Sequence, residues 1–82
     1  MYSYPIDYLY YEQEEIIVMA EFFAMIEDAN VQKKVDKTAL LKKYNEYRKI
    51  VGSISEEKSL DKEFEKLSGY SIFRTIKKYK DQ

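Results

Sequence analysis

Eighty-two residues, 45% apolar and 35% charged, with no cysteine, make one small domain whose core must be held by side-chain packing without a disulfide. The net charge is −1 and histidine is absent, which excludes the commonest general base, the thiol nucleophile and the soft metal ligands together. The chain does not open on the basic flank and apolar run of a signal peptide, so the expectation is a cytoplasmic protein with no membrane association.

The small total charge hides an uneven distribution. Residues 1–30 hold seven acids and no base, whereas residues 31–82 hold all fourteen bases against eight acids. Mutual docking of the two halves accounts for such a split. A basic surface for an acidic partner is the alternative.

The first eleven residues, MYSYPIDYLYY, carry five tyrosines. Pro5 disfavours the α region for Tyr4, so the segment is expected to start as an extended arm. Tyr2, Tyr4, Tyr8, Tyr10 and Tyr11 are best used lying across a helical bundle, rings inward and hydroxyls at the edge. The functional alternative is an exposed aromatic strip that a partner covers.

Ten of the eleven residues Ile16–Ile26 are apolar, Glu21 alone excepted. The run is too short for a bilayer, which needs about 20 residues, and its Ala and Met content favours a helix, expected over residues 12–33. A soluble helix apolar around most of its circumference must be buried around most of it. Ile16, Met19, Ala20, Phe23 and Ile26 share one face, with Phe22 toward its edge, and Glu14, Glu21 and Asp28 form a stripe opposite. Successive members of that stripe lie ~10.5 Å apart along the axis, too far to share a metal ion, so it reads as a solvated edge.

Asp36 is a good N-cap for a second helix over 37–51, with Leu40, Tyr44, Tyr47 and Val51 on one face and Gly52 as its terminator. Ser53 and Glu56 fit a capping box for a third helix over 54–68, which shows only a thin stripe of Leu60, Phe64 and Leu67. Gly69 ends it. Ser71 then caps a fourth helix over 72–80, where Ile72, Phe73, Ile76 and Tyr79 are expected inward and Arg74, Lys77, Lys78 and Lys80 outward. The Gly69-Tyr70-Ser71 turn followed by a basic helix suggests a helix-turn-helix, but the apolar register is off by one. An αα-corner explains the same residues.

Glu56-Glu57-Lys58, Asp61-Lys62-Glu63-Phe64-Glu65 and Ser68-Gly69-Tyr70-Ser71-Ile72-Phe73-Arg74, with Tyr4-Pro5-Ile6-Asp7-Tyr8 in the arm and Glu14-Glu15 and Phe22-Phe23 in the first helix, carry a resemblance. Over nearly its whole length the chain resembles the small uncharacterised bacterial family that includes the YktA protein, a UPF-series family. It departs from that pattern at Leu9-Tyr10-Tyr11, where a Trp and a Ser or Thr are usual, and at Lys34, where Gly is frequent. The resemblance implies a compact four-helix domain in a Gram-positive cytoplasm and no assigned activity.

The expected fold is therefore all-α: a compact four-helix bundle-like domain, residues 1–82, with an extended N-terminal arm. No glycine-rich loop, nucleophile elbow or metal-ligand spacing is present, so neither an enzyme nor a cofactor is expected. The leading function is a protein-interaction or self-association module, with an unknown protein or a second copy as partner. Its candidate surface is Tyr2, Tyr4, Tyr8, Tyr10 and Tyr11 with Arg74, Lys77, Lys78 and Lys80. The alternative is weak, sequence-nonspecific nucleic-acid binding through the basic fourth helix.

Overall fold

The computed structural model describes residues 4–32 and 34–81. Four helices follow one another through short connections: α1 (Gln13–Val31), α2 (Lys37–Val51), α3 (Ile54–Ser68) and α4 (Ile72–Lys80). The residues that stop and start them are those whose local chemistry requires it. Asp36, Ser53 and Ser71 each accept a hydrogen bond from the backbone N–H three residues on, at 2.9, 3.0 and 3.2 Å. Gly52 and Gly69 terminate α2 and α3 in the left-handed conformation, at φ of 78° and 85°. At the start of α1, the Glu12 N–H donates to Glu15 Oε1 at 3.0 Å.

An added Cβ at Gly69 would meet nothing within 4 Å. The penalty of a side chain there is conformational only, so Gly69→Ala is expected to cost about 1 kcal/mol. Equilibrium denaturation checks this; a midpoint equal to wild type would mean that the turn tolerates φ > 0 without loss.

Helix α1 is the centre, and α2 is its most extensive partner. Its buried residues are Met19, Phe22, Phe23, Ile26 and Ala29. This face is rotated toward Phe22 from the one expected, and Phe22 is as completely buried as Phe23. The reason is α2: the Phe22 ring stacks on Tyr47 and Tyr44, with centroids 4.5 and 5.7 Å away. Phe23 stacks on Phe64 of α3 at 5.0 Å and meets the Tyr47 ring edge-on at 5.6 Å. Glu14, Ile17, Glu21 and Asp28 form the exposed side. The two charged halves meet at Glu21, whose carboxylate lies 3.2 Å from Lys43 Nζ on α2.

In α4 the buried set is Ile72, Thr75, Ile76 and Tyr79, while Phe73 is 66% exposed. Phe73 therefore points outward, contrary to expectation, because the i, i+3, i+4, i+7 stripe that starts at Ile72 passes through Thr75. The buried Thr75 hydroxyl is fully occupied: it donates to Ser71 O at 2.7 Å and accepts from Asn30 Nδ2 at 2.9 Å. That amide also donates to Ile26 O, so α4 is fastened to the last turns of α1. Helix α3 buries Phe64 alone; Leu67, expected on its inner stripe, is 43% exposed.

The arm runs back along α1. Ile6 is part of the core at 7% exposure, and Tyr4 packs on Phe23 and Phe64 with centroids 5.4 and 6.4 Å away. The Tyr4 hydroxyl donates to the Glu27 carboxylate. Beyond Ile6 the chain turns. Asp7 Oδ1 accepts from the N–H groups of Leu9 and Tyr10 at 3.0 and 3.2 Å, and Asp7 O accepts from those of Tyr10 and Tyr11. This is the side-chain-to-backbone turn that Asp favours.

Candidate functional site

The candidate residues fall into distinct environments. Tyr2 lies outside the described residues. Tyr4 and Tyr11 are half-buried against the core. Tyr8 and Tyr10, by contrast, are 58% and 76% exposed, and Leu9 between them is 99% exposed. Asp7 thus holds a Tyr8-Leu9-Tyr10 turn with its apolar side chains in water. Leu9 carries a signal that sequence reasoning passed over: an Asp two residues ahead of it pins the turn on whose tip it sits. Arg74, Lys77, Lys78 and Lys80 are all exposed on α4. The Lys80 ammonium lies over the Tyr44 ring, 5.8 Å from its centroid.

A second feature is a groove of about 500 Å³ between α2, α3 and the start of α4. Tyr47, 1% exposed, forms its floor, and no described residue partners its hydroxyl. On one wall the Arg48 guanidinium is 3.3 Å from Glu57 and 5.5 Å from the Tyr44 centroid. The opposite wall is the α3–α4 corner, where Asp61 accepts from the N–H groups of Ile72 and Phe73 at 2.7 and 3.3 Å. A carboxylate on the positive end of a helix dipole stabilises that helix start. Phe73 and Ile54, 66% and 65% exposed, stand at the rim. Phe73 was legible in principle, since it lies outside the four-residue buried stripe of α4.

Four tyrosines have hydroxyls that resist ionisation. Burial, then the hydrogen bond to Glu27 and the charges of Glu27 and Asp28, push Tyr4 from its ordinary 10.0 up to about 12. Tyr47 is driven higher still by burial, with Glu57 and Asp61 adding to it. Burial raises Tyr11 and Tyr44 as well. These hydroxyls are neutral near pH 7. The neutral form of Tyr4 is favoured by folding, so its contribution is complete below about pH 10 and is lost as pH rises toward about 12. The thermal midpoint should accordingly fall across that window. Tyr4→Phe should make the fall shallower, and an unchanged slope would remove Tyr4 as its source.

Among the described residues no group of three or more acidic side chains is placed to hold a metal ion, and no helix is long and apolar enough to cross a membrane.

Fold and surface together define the class: an all-α, four-helix protein whose N-terminal arm packs on its first helix. The chain belongs to the uncharacterised protein family UPF0223, whose profile matches residues 1–82. It is 48% identical over 80 residues to a UPF0223 protein of Bacillus cytotoxicus, covering 98% of this chain and 88% of the relative. A UPF0223 protein of Streptococcus uberis is 41% identical over 80 residues, covering 98% and 85% of the two chains. One from Enterococcus faecalis is 40% identical over 82 residues, covering 99% and 86%. No solved structure matches the chain.

Proposed function

We propose that this protein is a non-enzymatic interaction module that presents the Tyr8-Leu9-Tyr10 turn to a protein partner. The observation that carries the reading is Leu9, 99% exposed on a turn held by hydrogen bonds to Asp7. Ordering a turn costs conformational entropy, and a leucine wholly in water returns nothing to the fold in exchange. Rigid presentation of an apolar side chain does lower the ordering cost of binding. The acids Asp7, Glu12 and Glu14 around the turn oppose an anionic membrane surface and favour a protein. A cytoplasmic setting goes with this reading, since a fold built without disulfides suits a reducing compartment.

A photo-crosslinking residue placed at position 9 of the full chain in living cells tests it. An adduct with a protein is expected from position 9 and none from position 62, on the exposed side of α3. No adduct from position 9, or the same adducts from both, would overturn the reading.

A further inference from the structure

We propose that the α2–α3–α4 groove binds a compact organic molecule of no net charge, which covers the rim with an apolar body and sets a neutral carbonyl or amide oxygen against the Tyr47 hydroxyl. The proposal is independent of the Tyr8-Leu9-Tyr10 turn.

Tyr47 carries it. Its ring is held in the core, stacked on Phe22 at 4.5 Å and meeting Phe23 edge-on at 5.6 Å, and the residue is 1% exposed. Its hydroxyl is buried and finds no hydrogen-bond partner among the described residues. Taking a hydroxyl out of water without a partner is costly, and native folds do so rarely. Thr75 shows the ordinary outcome, a buried hydroxyl that both donates and accepts. The rings of Phe22 and Phe23 offer Tyr47 no acceptor of that kind. Tyr47 also lines the groove, and it is from there that an acceptor can be supplied.

The charge of the lining sets the class of the occupant. Arg48, Lys58 and Arg74 stand against Glu57, Asp61 and Glu65, three cations to three carboxylates. Such a lining favours neither sign in a molecule that enters it. Two of the carboxylates act on the hydroxyl itself, since Glu57 and Asp61 add to the burial that keeps Tyr47 protonated. The hydroxyl is therefore available as a donor, and the same two charges repel an anionic acceptor placed beside it. A carbonyl or amide oxygen accepts without carrying that charge.

Size and apolar area complete the fit. The groove encloses about 500 Å³, within the range of small-molecule pockets. Ile54 and Phe73 stand 65% and 66% exposed at its rim, and Tyr44 and Ile72 extend the apolar lining. An apolar body laid across them takes out of water surface that the fold leaves uncovered.

Backbone-amide NMR on the full chain, titrated separately with benzamide, benzoate and benzylammonium, provides the test. The three probes are similar in size and are neutral, anionic and cationic. Benzamide is expected to shift the signals of Tyr47, Ser71 and Phe73 saturably and to bind more tightly than either charged probe. Tyr47→Phe should weaken benzamide by about fivefold, the worth of one neutral hydrogen bond. Its thermal midpoint should not fall, because the change removes only an unpartnered hydroxyl. Absence of saturable shifts, a charged probe that binds as tightly as benzamide, or Tyr47→Phe binding benzamide like wild type would overturn the proposal. So would a midpoint lowered by several degrees in Tyr47→Phe, since the hydroxyl would then serve the fold through a trapped water.

Discussion

Phe22→Ala and Phe23→Ala are each expected to lower the stability of the domain by about 3–5 kcal/mol, the usual range for emptying a phenylalanine site in a core. Small domains have only about 5–15 kcal/mol in total, so either change removes a large share. The two losses should be comparable although the residues are adjacent on α1, because neighbouring helical positions point ~100° apart and here both directions are covered. Phe22 enters α2, stacked on Tyr47, and Phe23 enters the space closed by Phe64 and Tyr4. Ile17→Ala on the same helix serves as a control: Ile17 is 50% exposed and its truncation should stay within about 0.5 kcal/mol. Urea denaturation monitored by far-UV circular dichroism measures all three. A Phe22→Ala loss near that of the control would mean that α2 does not close over the first helix.

The second large effect is expected in the arm, and it divides the arm in two. Ile6 is buried at 7% exposure and Tyr4 lies across Phe23 and Phe64. Replacing both with alanine should cost at least about 2 kcal/mol for the isoleucine alone, and each kcal/mol lowers the midpoint of a domain this size by about 4–8 °C. A fall on the order of 10 °C or more is therefore expected for Ile6→Ala with Tyr4→Ala. Uncovering Phe23 and Phe64 should also raise binding of an apolar dye. The outer half behaves differently. Tyr8→Ser with Leu9→Ser removes side chains already in water, and its midpoint should remain close to wild type. If the inner pair melts like wild type, the arm does not cover α1; if the outer pair melts as low as the inner, the turn is part of the core.

Much of the fold was legible because it rests on interactions that span three or four residues. A cap at Asp36, Ser53 or Ser71 reaches only to the backbone N–H three positions on, and Gly52 and Gly69 need nothing beyond their own backbone freedom to end a helix. The exposed line of Glu14, Glu21 and Asp28 follows in the same way from helical periodicity and charge. The family, too, could be read from the residues of the arm and of the Ser68-Gly69-Tyr70-Ser71 corner.

The candidate surface was legible only in part. Five tyrosines in eleven residues signal an aromatic segment, but local sequence does not say which rings face the core. Tyr4 turns inward because Phe23 and Phe64 receive it and Glu27, 23 positions away, takes its hydroxyl. Tyr8 and Tyr10 are exposed on the turn that Asp7 closes with hydrogen bonds to the backbone.

The bounds of α2, α3 and α4, and the enclosure of α1 around most of its circumference, follow from the sequence because capping, glycine conformation and apolar content are local properties; α1, with no such signal at its end, stops at Val31, short of the expected residue 33. That Phe22 is buried as deeply as Phe23, that Thr75 goes inside while Phe73 goes out, and that Tyr47 floors a groove are outcomes of long-range packing. Each depends on which distant surface a helix meets. Thr75 can be buried because Asn30, 45 positions away, supplies the hydrogen bond that a buried hydroxyl requires, and nothing within four residues of either one specifies the other.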